Sequence, residues 1–138
     1  MSGGLLRSHI SESITKIQQL FHIKGMKLYI SIPISGRPIL EAKHHAECIK
    51  AALTPHGHEC ITPFDVCSEP GKAYGYYMGR DIEAILDNNI DGIVFGHGFH
   101  DSNGCMLEHA AAQIYTKSII YESCFYMMDL DTLTIKPI

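Results

Sequence analysis

The segment from Ser31 to Arg37 is the first one with residue types suited to anion binding. It follows an apolar run and precedes a predicted helix, and free N–H groups at a helix N-terminus attract anions. Ser35 would add a hydroxyl donor, Gly36 would let a ligand approach the backbone, and Arg37 can hold a phosphate at two points. The segment matches neither a Walker loop nor G-x-G-x-x-G. An ordinary tight turn with a solvated arginine is the alternative interpretation.

Glu108 is the second candidate, because of the helix face on which it lies. Ser102 or Asn103 can cap a helix that begins there, so Glu108 falls within its second turn. At 3.6 residues per turn it shares a face with Gly104 and Ala112, which is small and largely apolar. A carboxylate in such a setting could face a developing cation. The alternative is a surface glutamate in a first turn, favoured by the helix dipole.

Asp81 could supply the second carboxylate of a pair that acts on a glycosidic bond. An ordinary charge on a helix surface beside Arg80 is the alternative. The nine histidines raise the question of a metal, and four possible ligands fall in one loop–helix segment: His97, His100, Cys105 and His109. Their spacing matches no zinc motif, so we predict neither a metal nor any other cofactor.

The composition is that of a folded globular chain of 138 residues, with 46% hydrophobic and 19% charged residues. It excludes a disordered tail protein, and the net charge of -4 argues against non-specific binding to duplex nucleic acid. No apolar run approaches the roughly 18 residues of a membrane span. Five irregularly spaced cysteines predict reduced thiols, and the first residues lack the apolar stretch of a signal peptide. We therefore predict a cytoplasmic protein.

Predicted strands and helices alternate along the chain, which indicates an α/β fold with a mainly parallel sheet. The strands are predicted at Lys27–Ile32, Glu59–Thr62, Asp91–Phe95 and Ser118–Tyr121. The helices are predicted at Ile39–Leu53, Tyr76–Asn88 and Gly104–Thr116, with a loop at Pro63–Gly75 and a fifth strand or a hairpin within Phe125–Ile135. Ligands bind such sheets outside the carboxyl ends of the strands, so the loops after the first and third strands are expected to converge.

Residues 1–25 are predicted to be a helical extension of the domain that spans residues 26–138. Five apolar residues recur at intervals of three and four: Leu6, Ile10, Ile14, Ile17 and Phe21. This pattern predicts one helix. Packing against the core is the favoured interpretation, and a contact between subunits is the alternative.

Residues 27 to about 122 resemble the nucleoside 2-deoxyribosyltransferase superfamily. The resemblance rests on an ordered set of short motifs: Leu28-Tyr29-Ile30-Ser31, Ser35-Gly36-Arg37, Asp81, Ile90-Asp91-Gly92-Ile93-Val94 and Ser102-Asn103-Gly104-x-x-x-Glu108-x-x-x-Ala112. It implies a flavodoxin-like or Rossmann-like three-layer sandwich with four to five mainly parallel strands. It also implies action on the N-glycosidic bond of nucleosides or nucleotides by a protein that forms symmetric oligomers, here a homodimer or a higher even state.

The resemblance further implies roles for single residues. Glu108 matches the family's nucleophile, Tyr29 the tyrosine that positions it, and Asp81 the aspartate that hydrogen-bonds or protonates the departing base. Transferases acting on free nucleosides tend to carry an acidic residue at the position of Ser102. The branch that hydrolyses nucleoside 5'-monophosphates carries serine there, together with a Ser/Gly/Arg turn after the first strand.

The sequence therefore predicts hydrolysis, or transfer, of the N-glycosidic bond of a nucleoside 5'-monophosphate with release of free base. The predicted substrate-binding residues are Ser31, Ser35, Gly36, Arg37, Ser102, Asn103 and Gly104. A transferase acting on free nucleosides is one alternative. A non-catalytic nucleotide-binding or sensing module on the same fold is another, because fold alone does not decide function.

Overall fold

The computed structural model describes residues 25–87 and 89–137, so the predicted helix within residues 5–22 lies outside the described part. Four parallel strands form the central sheet in the order β2-β1-β3-β4. The strands are β1 (Lys27–Ser31), β2 (Glu59–Ile61), β3 (Gly92–Phe95) and β4 (Ser118–Tyr121). The predicted α/β class and the parallel sheet are confirmed. Within the described residues this sheet has four strands, which lies within the predicted four to five.

Four helices connect or flank the strands: α1 (Ile39–Leu53), α2 (Pro63–Val66), α3 (Tyr74–Ile85) and α4 (Asn103–Ile114). Short 3-10 helices lie at Thr54–His56, Phe99–Asp101 and Glu122–Met127. The chain ends in an antiparallel hairpin of β5 (Met128–Asp129) and β6 (Thr134–Ile135). Of the two interpretations of the tail, the hairpin is therefore confirmed.

The sheet is covered on both faces, which makes the fold a flavodoxin-like or Rossmann-like sandwich. Leu28 and Ile30 of β1 pack with α1 and the hairpin residue Met128 on one face. Tyr29 points to the other face and packs with residues of α3 and α4 such as Ile85. Successive side chains of a strand alternate between faces, and here both faces are buried. The nearly continuous apolar sequence of β1 follows from this arrangement.

The segment after β2 differs most from the sequence-based prediction. The predicted loop Pro63–Gly75 contains helix α2, and α3 begins at Tyr74, two residues earlier than predicted. The hydroxyl of Thr62 accepts a hydrogen bond from the backbone N–H of Asp65, and the Asp65 carboxylate accepts one from the N–H of Thr62. This capping box ends β2 one residue before the predicted end and starts α2.

Within residues 25–87 and 89–137, no helix is long and apolar enough to cross a membrane.

Candidate functional site

A cavity of about 410 Å³ opens at the carboxyl edge of the sheet, beside the end of β1. Its walls come from four parts of the chain: the β1–α1 segment with the first turns of α1, the segment 63–70, the inner side of α3 and the first turns of α4. The strand order changes direction between β1 and β3, and sheets of this type bind ligands at such a point. The segments after β1 and β3 both line this cavity, so they converge as the sequence predicts.

Glu108 lies at this cavity and is almost completely buried, with an exposed fraction of 4%. The hydroxyl of Ser31 donates a hydrogen bond of 2.8 Å to its Oε1, whereas its Oε2 is buried without a partner in the described structure. Burial, and after it the charge of Asp81, raises the pKa of Glu108 to about 8 against a smaller opposing effect of Ser31. The helix face inferred from the spacing therefore holds a buried carboxylate, not a surface one.

Asp81 and Tyr29 bring two more ionisable groups to the same place. Asp81 on α3 is buried and lines the cavity, and burial raises its pKa to about 7 while the Tyr29 hydroxyl opposes the shift. Tyr29 is fully buried, and its hydroxyl has no hydrogen-bond partner of acceptable geometry among the described residues. Burial, then the charges of Glu108 and Asp81, raises the pKa of Tyr29 well above its usual value. Residues from β1, α3 and α4 thus form one buried cluster.

The N-terminus of α4 forms the polar end of the cavity. Ser35, Ser102 and Gly104 line both the cavity and a smaller adjoining recess of about 330 Å³, and Asn103 lines the recess. Ser102 caps α4 by accepting a hydrogen bond of 3.2 Å from the N–H of Cys105. A Cβ atom at Gly104 would lie 3.0 Å from the hydroxyl oxygen of Tyr74, so a larger residue would narrow the cavity.

Arg37 and Gly36 line neither the cavity nor the recess. Nη1 of Arg37 donates to the carbonyl oxygen of Pro33 at 2.9 Å and lies 3.1 Å from Nδ1 of His45. Nε2 of His45 in turn lies 2.8 Å from Oε1 of Glu122. The guanidinium is thus held against its own turn. Gly36 adopts a positive φ of 80°, which explains a glycine at this place in the turn.

Sequence reasoning missed the pair His45 and Glu122, which are 77 residues apart and belong to no motif. It also missed the cavity wall formed by Lys43, Phe64 and Tyr77. The proline and aromatic residues within positions 63–77 are the available signal, but the sequence predicts a loop for Pro63–Gly75 and an ordinary helix from Tyr76.

The histidines of the β3–α4 segment have other partners. Nε2 of His109 lies 2.8 Å from the hydroxyl of Tyr121, and the backbone N–H of His97 donates to Glu122. Among the described residues, no three or more His, Cys, Asp or Glu side chains are grouped so that they could hold a metal ion. All five cysteines are free, and burial raises the pKa of the Cys60 thiol to about 11 and that of Cys105 above its usual value.

Comparison with known proteins gives one family. No curated protein matches the chain. The model of a family described as a domain of unknown function, DUF4406, matches residues 26–121, which is well over half of the chain and includes every candidate site residue. On this match, the chain belongs to the DUF4406 family.

Proposed function

We propose that this protein cleaves the N-glycosidic bond of a nucleoside 5'-monophosphate, with Glu108 as the nucleophile. The observation that carries the proposal is the buried carboxyl of Glu108 at the cavity, with one oxygen held by Ser31 and the other unpartnered. A buried oxygen without a partner costs free energy, and such a cost is typical of a group that serves a ligand. The resemblance of residues 27 to about 122 to the nucleoside 2-deoxyribosyltransferase superfamily supports the same role.

In the proposed reaction, Oε2 of ionised Glu108 attacks the anomeric carbon and forms an ester with the sugar. The C–N bond breaks, and the base leaves with the bonding electron pair and takes a proton from Asp81. Water then adds to the anomeric carbon of the ester and gives a proton to the Asp81 carboxylate. The bond between the sugar and Glu108 breaks, which releases Glu108 as a carboxylate and restores protonated Asp81. Positive charge develops on the sugar in both steps, and nearby carboxylates stabilise it electrostatically.

The burial of the carboxyl groups fits opposite protonation states in one site. A general acid must be protonated and a nucleophile ionised at the working pH. The pKa of Asp81 of about 7 lets a fraction of that group stay protonated near neutral pH. The pKa of Glu108 of about 8 leaves a fraction of that group ionised at the same pH. Activity should therefore be greatest at a pH between the two pKa values and should fall above it, because Asp81 loses its proton.

The phosphate is assigned to the polar end of the cavity. Ser35 and Ser102 would donate hydroxyl hydrogen bonds there, and the N-terminus of α4 at this place favours an anion. Phosphate held there would position the sugar without taking part in bond cleavage.

Transfer to a second base, starting from a free nucleoside, is the second candidate function. The observation that favours it is the orientation of Arg37, which is held by Pro33 and His45 and does not line the cavity. Without a cation at the 5' end, a site would have less reason to prefer a monophosphate.

The decisive experiment is incubation with a panel of nucleosides and 5'-monophosphates, in ribose and deoxyribose forms, with and without a second free base. Chromatography would detect the released base. We expect free base from a 5'-monophosphate in water alone. Base exchange that occurs only with added acceptor would support the transferase, and no release from any substrate would contradict both enzymatic functions.

We also propose that the protein is a homodimer or a higher even oligomer. Helix α4 exposes three large apolar side chains on its outer side, Met106, Leu107 and Ile114, which is a surface suited to contact with a second copy. Light scattering at micromolar concentration should give at least twice the monomer mass. A purely monomeric species would contradict this assembly.

A further inference from the structure

Lys43 and Phe64 define an end of the main cavity that the predicted motifs do not supply. Ser35, Ser102 and Gly104 are shared with the recess at the N-terminus of α4, whereas Lys43 and Phe64 line the main cavity only. If phosphate occupies the polar end and the sugar lies at Glu108, the departing base is left with the rest of the main cavity, which Lys43 and Phe64 line together with Asp81. Which groups this end offers therefore decides which bases it accepts.

Lys43 supplies the positive charge at this end. It is the one lysine or arginine among the described residues that line the cavity. Its Nζ lies 5.6 Å from the centre of the Phe64 ring, and no carboxylate of the described chain lies within ion-pair distance of it. Glu69 also lines the cavity, but its carboxylate is 3.6 Å from Lys72. The Lys43 ammonium is therefore available to a ligand.

The chemistry of an ammonium group restricts what it can recognise. It offers three hydrogen-bond donors and no acceptor. A purine with a 6-oxo group presents two acceptors, O6 and N7, along one edge, whereas adenine presents an acceptor at N7 and a donor at its 6-amino group. The Lys43 ammonium and the 6-amino group of adenine are both hydrogen-bond donors, so they cannot bond to each other. The Phe64 ring beside it offers an apolar face on which a base can stack.

We propose that Lys43 is a specificity-determining residue that makes this site prefer 6-oxopurines over 6-aminopurines. This inference rests on the proposed function, because that function places the base at this end of the cavity. It concerns the choice of base and leaves the roles of Glu108 and Asp81 as they are.

The test compares inosine and adenosine 5'-monophosphates, in the sugar form that the enzyme accepts. These substrates differ only in the 6-oxo or 6-amino group and its ring tautomer. We expect kcat/KM to be about tenfold to a hundredfold higher for the oxo substrate, the range of one charge-assisted hydrogen bond. Lys43→Met keeps the apolar stem beside Phe64 and removes the donors, so the preference should fall to within about twofold of unity. Lys43→Arg should retain most of it.

Lys50→Met is the matched control, because Lys50 lies on the same helix and does not line the cavity. It should keep the wild-type preference. A wild type without oxo preference, or a Lys43→Met variant that retains it, would overturn the proposal while base release itself still supported the proposed function.

A binding measurement keeps the two proposals separable if no substrate is cleaved. Free hypoxanthine and free adenine are titrated by calorimetry into the wild type, Lys43→Met and Lys50→Met. Tighter binding of hypoxanthine that is lost only in Lys43→Met supports the inference even without turnover. Equal binding of the two bases to the wild type, or no binding of either, overturns it.

Discussion

Two buried polar side chains at opposite edges of the sheet differ in how well they are satisfied. His58, just before β2, and Glu108, on α4, are each 4% exposed. Nδ1 of His58 accepts a hydrogen bond from the N–H of Met26, and its Nε2 donates to the carbonyl oxygen of Leu130. Glu108 has a partner for one oxygen only. The two side chains are equally buried, but they differ in their hydrogen bonds. His58, at the amino edge of the sheet, has a partner for each ring nitrogen, whereas Glu108, at the carboxyl edge, has a partner among the described residues for one of its two oxygens.

The difference separates stability from function. A buried polar group with all partners in place fixes the chain around it, and His58 ties the start of β1 to the turn of the β5–β6 hairpin. A buried carboxyl that lacks a partner costs free energy, and this cost persists where the group serves a ligand. We therefore expect substitution of His58 to damage the fold and substitution of Glu108 to damage the activity.

The largest effect is expected from Glu108→Gln, which preserves shape and removes the nucleophile. Turnover of the 5'-monophosphate should fall by at least about a thousandfold, beyond the usual effect of altered packing. Glu83→Gln is the matched control, because Glu83 is exposed on α3, where it pairs with Arg80. Turnover is measured by chromatography of free base. A folded Glu108→Gln protein with wild-type turnover would remove Glu108 from the mechanism.

The next largest effect concerns the free energy of unfolding as a function of pH. Because folding raises the pKa of Glu108 to about 8, the folded chain binds more protons than the unfolded chain between the ordinary pKa of a glutamate and pH 8. The stability linked to this group is present below that range and is lost as the pH rises through it. Glu108→Gln should therefore be more stable than the wild type at pH 9, by an amount on the order of a few kcal/mol, and nearly equal to it at pH 4.

Denaturant unfolding at the two pH values measures this difference. Glu83→Gln should show no such pH-dependent gain, because its side chain is exposed. Equal free energies of unfolding for Glu108→Gln and the wild type at pH 9 would mean that burying the ionised Glu108 carboxylate has no net cost. That result would contradict the difference proposed between Glu108 and His58.

His58→Ala tests the other edge of the sheet. The change leaves Met26 N–H and the carbonyl oxygen of Leu130 without their partners, and it should lower the free energy of unfolding by about 2 to 3 kcal/mol. His56→Ala, which removes a half-exposed partner of Asp131, should cost less than about 1 kcal/mol. Both values come from denaturant titration, with kcat/KM expected to stay at the wild-type value in the folded proteins. A larger loss in His56→Ala than in His58→Ala would reverse the comparison.

Arg37→Ala tests whether the Arg37 guanidinium, which already contacts Pro33 and His45, also binds the substrate at the carboxyl edge of the sheet. If Arg37 contacts the phosphate, kcat/KM should fall about tenfold to a hundredfold for the monophosphate and much less for the nucleoside. Arg80→Ala, at an exposed site on α3, is the control. An equal loss for both substrates would show that Arg37 only stabilises the turn through Pro33, and the nucleoside transferase would become the better assignment.

The sequence predicts much of the fold because local pattern and tertiary burial agree. Helix α1 and strand β4 have the predicted bounds, and the helical spacing correctly places Glu108 on the apolar face of α4. The proximity of Tyr29, Asp81 and Glu108 follows from the family resemblance and not from spacing, because the three residues come from separate elements.

Other features depend on contacts that no local pattern contains. The orientation of Arg37 is set by His45, which in turn contacts Glu122 from the other end of the domain. Helix α2 is set by a four-residue capping box within a stretch rich in proline and glycine, where turn signals outweigh helix signals.

The hydrogen bond between Ser31 and Glu108 joins residues that are 77 positions apart. Closing a chain segment of that length costs roughly 4 kcal/mol in conformational entropy, whereas one hydrogen bond contributes about 1 kcal/mol. The bond therefore cannot form on its own in an unfolded chain. It requires the pairing of β1 with β3, which places Ser31 beside Phe95, and the packing of α4 against the sheet. The candidate nucleophile therefore reaches its place only when the sheet and α4 have assembled. A chain that stopped before α4 would lack Glu108, the core residue Ala112 and strand β4, so it would lose part of the sheet together with the site.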